Sequence, residues 1–222
     1  MPKPPLLVLC SGGLRSLVAA GVAARDSRIV MLHIRDGRAS ADQAAAAFEK
    51  QAAHFKPLKT LTIDAPYFRQ MALPPETAGM VNSTSSDAQS TLIPLRELQL
   101  LTLAAGFARQ IRAAAVVTGF HVDPKQPDAL ARNIELVQIT NQLLELLAPD
   151  ADLTIRTPLM GLEDAQIIEL GYQMSLPFSS SWSCQMPLES PCMSCPACAR
   201  RIRAFRAAQL ADPGVVKRAV KP

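Results

Sequence analysis

Apolar residues along this chain recur with two alternating periods. Short runs of β-branched and long aliphatic residues, at Leu6 to Cys10, Ile29 to Ile34, Leu58 to Ile63, Ala115 to Thr118 and Leu153 to Ile155, read as buried strands. Between them the spacing becomes helical. One helix is expected from about Leu95 to Arg112, with Leu98, Leu101, Ala105 and Ala108 turned inward. Another starts after Pro127 and Asp128 and is stopped by Pro149, with Leu130, Ile134, Val137, Leu144 and Leu147 on its inner face. Strands alternating with helices predict a parallel sheet covered on both faces, because each crossover packs its helix back onto the sheet. The expected fold class is α/β, a doubly wound parallel sheet, and ligands of such folds bind at the carboxyl ends of the strands.

One stretch breaks the pattern. Residues 70 to 90, QMALPPETAGMVNSTSSDAQS, have no period, and a structureless run beyond about 12 to 15 residues is uncommon unless functional or disordered. Both a lid over the site and a surface insertion fit it. The 222 residues suit a single domain, 1–222, with a sizeable core. The longest apolar run near the start, Pro5 to Cys10, is far short of the roughly 18 residues of a membrane span, and no cleavage site follows a basic leader, so a soluble, cytoplasmic protein is expected. Net charge is only +4, yet Arg200, Arg201, Arg203, Arg206, Lys217, Arg218 and Lys221 face a single acid, Asp212. A solvated helix face is the favoured reading, with contact to RNA phosphates the lesser one.

Two motifs carry chemistry. Ser11-Gly12-Gly13 follows the first apolar strand and opens a helix. Glycines let the backbone come close to an anion, helix-start N–H groups point their partial positive charge at it, and Ser11 and Ser16 add hydroxyls. Cys184, Cys192, Cys195 and Cys198 have a C-x7-C-x2-C-x2-C spacing that brings four thiolates around one tetrahedral ion. Four sulfurs leave no open position for a water, so a structural zinc is expected, in a segment spanning 182–206. Cys10 reads as a small apolar residue ending the first strand. His33 and His54 carry no evident chemistry, whereas His121, just after the strand ending near Gly119, is placed to reach a ligand.

Ser11-Gly12-Gly13-Leu14, the four cysteines after Trp182-Ser183-Cys184, TPLMGL at Thr157 to Leu162 and VVTGFHVDPKQPDA at Val116 to Ala129 together resemble the 7-cyano-7-deazaguanine synthase (QueC) family. That resemblance implies a fold of the adenine nucleotide α-hydrolase, or PP-loop, type with a bound zinc. It also implies an ATP-dependent ligase that turns 7-carboxy-7-deazaguanine and ammonia into the nitrile used in queuosine precursor synthesis. Cys10, Ser11, Gly12, Gly13, Leu14 and Ser16 would form the ATP site, with Arg15, Arg96, Asp123 and Asp128 near the reacting groups. The family resemblance further implies a homodimer with no membrane or nucleic-acid partner. A degenerate or substrate-shifted homologue, or a tRNA-modifying ATP pyrophosphatase, are the alternatives.

Several positions depart from the family pattern. Arg15 stands where the superfamily carries a loop aspartate that helps place magnesium, which leaves the role of magnesium open. Asp164 stands in place of a lysine, the Gln-Arg-His stretch after the second strand appears as RDGRAS, and Asp-Cys-Arg appears as Asp128-Ala129-Leu130. The opposite inversions at Arg15 and Asp164 suggest a swapped salt bridge between these two side chains.

Overall fold

In the computed structural model, which describes residues 3–72 and 95–214, the chain opens with β1 (Leu6–Leu9), α1 (Leu14–Asp26), β2 (Ile29–Arg35), α2 (Ala41–Phe55) and β3 (Lys59–Asp64). It continues through α3 (Tyr67–Gln70), α4 (Arg96–Gln110), β4 (Ala115–Thr118), α5 (Pro127–Leu147), β5 (Thr154–Arg156), α6 (Asp164–Gln173) and α7 (Pro196–Ala207). The five strands form one sheet in the order β3-β2-β1-β4-β5. Every pairing is parallel, with Leu6 opposite Ile29 on one side of β1 and Ala115 on the other. All five expected strands form, with ends shifted by a residue or so.

Side chains along β1 alternate between two cores, as the period of a strand requires. Leu6, Val8 and Cys10 join Leu17, Val18, Ile167, Ile168, Phe178 and Phe205 on one face of the sheet. Leu7 and Leu9 join Phe68, Leu100, Leu101 and Ala104 on the other. The chain winds from β1 to β3 along one half of the sheet and crosses to β4 and β5 on the other. The loops after β1 and β4 therefore diverge and open a crevice at the switch point.

Helix α4 buries Leu101, Ala105 and Ala108 as expected. Helix α5 forms over the expected span but does not bury the expected face. Its buried residues are Asn133 and Thr140, Leu130, Val137 and Leu144 are half-buried, and Ile134 and Leu147 are exposed at 42% and 77%. The reason is the support beneath it: β5 is three residues long at the sheet edge, too short to cover both sides of a 21-residue helix. Of the stretch expected as a lid or insertion, residues 73–90 lie outside the described residues.

Candidate functional site

The turn between β1 and α1 is held from several directions. Gly12 has φ +75°, and a Cβ there would overlap the Ala44 carbonyl oxygen, so α2 presses directly on the turn. The Gly12 carbonyl accepts from the Trp182 N–H at 2.9 Å and from Gln51 Nε2 at 2.9 Å. Gln51 is fully buried and also donates to the Ser180 carbonyl at 3.2 Å. Ser16 Oγ donates to the Gly13 carbonyl at 3.0 Å and accepts from the Ser11 N–H at 3.2 Å, closing the turn from inside. Gly13 itself has ordinary extended geometry at φ −81°, so Gly12 is the position with the strict requirement. Across the crevice, a Cβ at Gly119 would come within 2.8 Å of Arg15 backbone and Ser16 nitrogen, so the end of β4 packs tightly against the start of α1. With no acidic residue in its first turn, α1 presents an uncompensated positive dipole end to the crevice.

That crevice is a cavity of about 350 Å³ lined by Cys10, Ser11, Gly13, Leu14, Arg15 and Ser16 on the turn side. Arg38, Arg96, Arg200, Arg201 and Arg203 line it from other elements, against the carboxylates of Glu97 and Asp164. Asp36, just past β2, sits beneath two of these arginines and is 4% exposed. Its Oδ1 accepts from Arg38 Nε at 2.8 Å and its Oδ2 from Arg96 Nη2 at 2.9 Å. Burial alone would raise the Asp36 carboxyl, but the charges and hydrogen bonds of Arg38 and then Arg96 outweigh it and hold the pKa at about 2.

A second polar assembly faces it. Arg200 donates to both oxygens of Asp164, at 2.7 Å and 3.0 Å, and to His121 Nδ1 at 3.0 Å. His121 Nε2 lies 2.6 Å from the Leu162 carbonyl. A carbonyl can only accept and a guanidinium can only donate, so His121 is the neutral tautomer with its proton on Nε2. Burial lowers its pKa, the Leu162 carbonyl works against that, and Arg15 and Arg200 lower it further. The Asp164 carboxyl is raised by burial, but the Arg200 hydrogen bond and charge turn the net shift downward. The expected Arg15–Asp164 salt bridge is thus corrected. Arg200 takes both carboxylate oxygens, while Arg15 lies near enough to act on Asp164 and His121 through its charge.

Arg200 and Arg201 stand on α7, whose first turn carries two of the four cysteines. The sulfurs of Cys184, Cys192, Cys195 and Cys198 all lie within 4.8 Å of one another, so the cluster can hold one metal ion. Backbone N–H groups already aim at them: Met186 and Cys192 donate to Cys184 Sγ, and Cys195 donates to Cys192 Sγ. Such donors, from Ser194 and Cys195, bring the Cys192 thiol down to about 6, whereas burial pushes Cys184 and Cys198 up. A bound cation is what allows all four to be thiolates together. On the next turn Arg201, 9% exposed, holds Asp212 with two hydrogen bonds and donates to Ser181 and to the Phe178 carbonyl. The reading of the basic run is corrected for Arg200 and Arg201, which are internal struts facing the cavity; Arg203 and Arg206 are exposed on α7 as a solvated face requires, and Lys217, Arg218 and Lys221 lie outside the described residues.

Of the expected residues, the fold brings together Cys10, Ser11, Gly13, Leu14, Arg15, Ser16 and Arg96 on one cavity, with Gly12 immediately behind. Asp123 and Asp128 lie outside its lining: Asp123 Oδ1 accepts from the Lys125 N–H in a turn, and Asp128 is exposed in the first turn of α5. Sequence reasoning missed Asp36, Gln51 and Trp182. Trp182 lines the cavity, and its buried Nε1 has no hydrogen-bond partner, a donor available to a ligand.

A parallel sheet with a Ser-Gly-Gly turn at its switch point and an arginine-lined cavity above it makes a doubly wound α/β fold of the PP-loop type. A model of the family described as queuosine biosynthesis protein QueC matches residues 5–209, and the chain belongs to that family. Over 214 residues it is 29% identical to a 7-cyano-7-deazaguanine synthase of Chlorobium phaeobacteroides (strain BS1) and 27% identical to one of Chlorobium limicola, each match covering 93% of this chain and 94% of the relative. Among solved structures, NMN synthetase from Francisella tularensis overlaps 95% of this chain and 89% of its own at 13% identity, with a TM-score of 0.45. No described helix is long and apolar enough to cross a membrane.

Proposed function

We propose that the chain converts 7-carboxy-7-deazaguanine and ammonia to 7-cyano-7-deazaguanine, using ATP, in the cytoplasm. The observation that carries this reading is the placement of the Ser11–Ser16 turn: a backbone built to approach an anion opens into a cavity where guanidinium groups outnumber carboxylates. The substrate carboxylate attacks the α-phosphorus of ATP and expels pyrophosphate. Ammonia then displaces AMP to leave an amide, and activation of the amide oxygen by a second ATP lets AMP and a proton depart as the nitrile forms. The chain's task is positioning and charge stabilisation. Ser11, Ser16 and the first-turn N–H groups of α1 hold the phosphates, and Arg15 and Arg96 take up charge on the departing group. Trp182 Nε1 offers a hydrogen bond to the heterocycle. One zinc ion in the cysteine cluster holds α7, and through it Arg200 and Arg201, against the cavity.

The same reading has the chain acting as a homodimer, and α5 supplies the surface. Leu136, Ile139, Leu143 and Leu146 fall at the 3-4-3 spacing of a helix-pairing seam, and the last three are 47%, 45% and 73% exposed. Antiparallel pairing of two copies of α5 about a two-fold axis would bury this apolar stripe against itself. Leu143→Glu should give a monomer by light scattering. A monomeric unaltered protein would contradict this surface.

The activity itself is tested by incubating metal-loaded protein with 7-carboxy-7-deazaguanine, ATP and ammonium and following products by mass spectrometry. The nitrile should appear only when all three are present. Unchanged substrate would point instead to a binding protein on the same scaffold, a reading favoured by the engagement of both Asp36 and Asp164 with arginines.

A further inference from the structure

We infer that this chain neutralises the polyphosphate of its nucleotide with guanidinium groups where a magnesium ion would otherwise serve. The inference rests on the ATP reading above, but it concerns how the phosphates are held. Magnesium in phosphate sites is held by one or two carboxylates together with the phosphates themselves. Two of the three described carboxylates at this site are spoken for, and the third, Glu97, follows Arg96 in the first turn of α4. Both oxygens of Asp164 accept from Arg200, and both oxygens of Asp36 are taken, one by Arg38 and one by Arg96. Among the described residues, the one group of three or more metal-ligating side chains is the cysteine cluster.

Charge points the same way. Among the described residues, Arg15, Arg38, Arg96, Arg200, Arg201 and Arg203 line the cavity, against Glu97 and Asp164, with Arg201 itself paired to Asp212. Asp36 is shared by two arginines that are 13% and 23% exposed, which leaves a buried excess of positive charge. Arg96 Nε is buried without a hydrogen-bond partner, a donor that an anion would satisfy. A divalent cation would have to enter among these like charges, whereas phosphate oxygens would replace missing acceptors. Arg15, in the first turn of α1 beside the dipole end, stands at the position where the resemblance places a magnesium-directing aspartate. The guanidinium thus does for the phosphates what the cation and its aspartate would do together.

The test uses full-length, metal-loaded protein and inorganic tripolyphosphate, titrated calorimetrically in magnesium-free buffer and again with excess magnesium. No chelator is present, so the cysteine-bound ion stays in place. Tripolyphosphate should bind without magnesium, and magnesium should leave the affinity unchanged or weaken it by competing for the ligand. Arg15→Ala should weaken metal-free binding by about 10- to 100-fold, the range of a lost charge-assisted hydrogen bond, while metal content and melting temperature stay as in the parent. A gain of about tenfold or more on adding magnesium, an unchanged affinity in Arg15→Ala, or no binding in either buffer would each overturn the inference. Tripolyphosphate that binds without magnesium while ATP does not bind would leave the guanidinium clamp standing and remove the ATP reading.

Discussion

On one side of the cavity, the turn after β1 is shaped by backbone: Gly12 at φ +75° lies against Ala44, Gly119 lies against Arg15, and Gln51 holds the Gly12 carbonyl. On the other side, residues 178–214 are shaped by long side chains, with Arg200 and Arg201 reaching inward from a helix whose first turn carries Cys195 and Cys198. The first wall is part of the sheet and exists once the sheet forms. The second packs Phe178 and Phe205 into the core, but residues 181–195 form neither helix nor strand and carry three of the four cysteines, so a cross-link is expected to hold them in place. The walls meet where the Trp182 N–H donates to the Gly12 carbonyl and where Gln51 donates to the Gly12 and Ser180 carbonyls together. Geometry fixed by the sheet is thereby tied to geometry set at the cysteine cluster, and damage to one wall is expected to reach the other through these bonds.

The largest effect should come from Cys195→Ser. Structural metal sites contribute on the order of 10 kcal/mol, so the variant should lose its metal, melt at a much lower temperature and bind tripolyphosphate weakly. The sole tryptophan reports on the junction, and its emission should shift to the red as Trp182 leaves its place beside Gly12. A metal-free variant with parental melting and tryptophan emission would separate the two walls.

Gly12→Ala attacks the backbone wall. Left-handed geometry and the overlap with Ala44 should cost about 3 kcal/mol in denaturant unfolding, whereas Gly13→Ala, at ordinary backbone angles, should cost less than about 1 kcal/mol. Equal costs at the two positions would mean that α2 does not press on the turn as described.

Asp36→Asn should remove about 2 kcal/mol at neutral pH, because the buried carboxylate is held near a pKa of about 2 by its two arginines. A depressed carboxyl stabilises the fold above its unfolded pKa near 4, and that stability is lost as pH falls towards 2. The variant should therefore lose sensitivity to acid in that window. An acid-unfolding curve parallel to that of the parent would rule out this role.

The smallest effect is at His121. Its lowered pKa means that the fold keeps the ring neutral, so stability present above about pH 6.5 declines as pH falls and the unfolded chain takes up the proton first. His121→Gln should flatten the stability profile below about pH 6.5, at a cost near 1 kcal/mol from the altered hydrogen bonds to Leu162 and Arg200. A profile as steep as the parent's would place that titration elsewhere.

What could be read from the sequence was local. An apolar run followed by Ser-Gly-Gly specifies a strand, a turn and a helix within 20 residues, and four cysteines within 15 residues specify a cluster, because in each case neighbours in sequence are neighbours in space. The supports of the site were hidden because they join distant segments. Gln51 reaches Ser180 across 129 residues and Arg96 reaches Asp36 across 60. The RDGRAS stretch holds Asp36 and Arg38, and only the approach of α4 gives the carboxylate its second arginine. Charge inversion at Arg15 and Asp164 suggested a pair, but the geometry of α7 brings Arg200 to Asp164 instead. On α5 the helical period was right and the buried side was not, since period alone does not say which face a three-residue edge strand can cover.

The most direct test of the account is exchange of radiolabelled pyrophosphate into ATP by the metal-loaded protein, with 7-carboxy-7-deazaguanine present and ammonia absent. Exchange reports reversible attack of a carboxylate on the α-phosphorus, the step that the proposed function assigns to the turn and its arginines. Label should enter ATP only when the carboxylated base is present, and Arg15→Ala should slow it by about 10- to 100-fold. No exchange with the base, or exchange at the same rate without it, would contradict the assignment of this cavity to carboxylate activation.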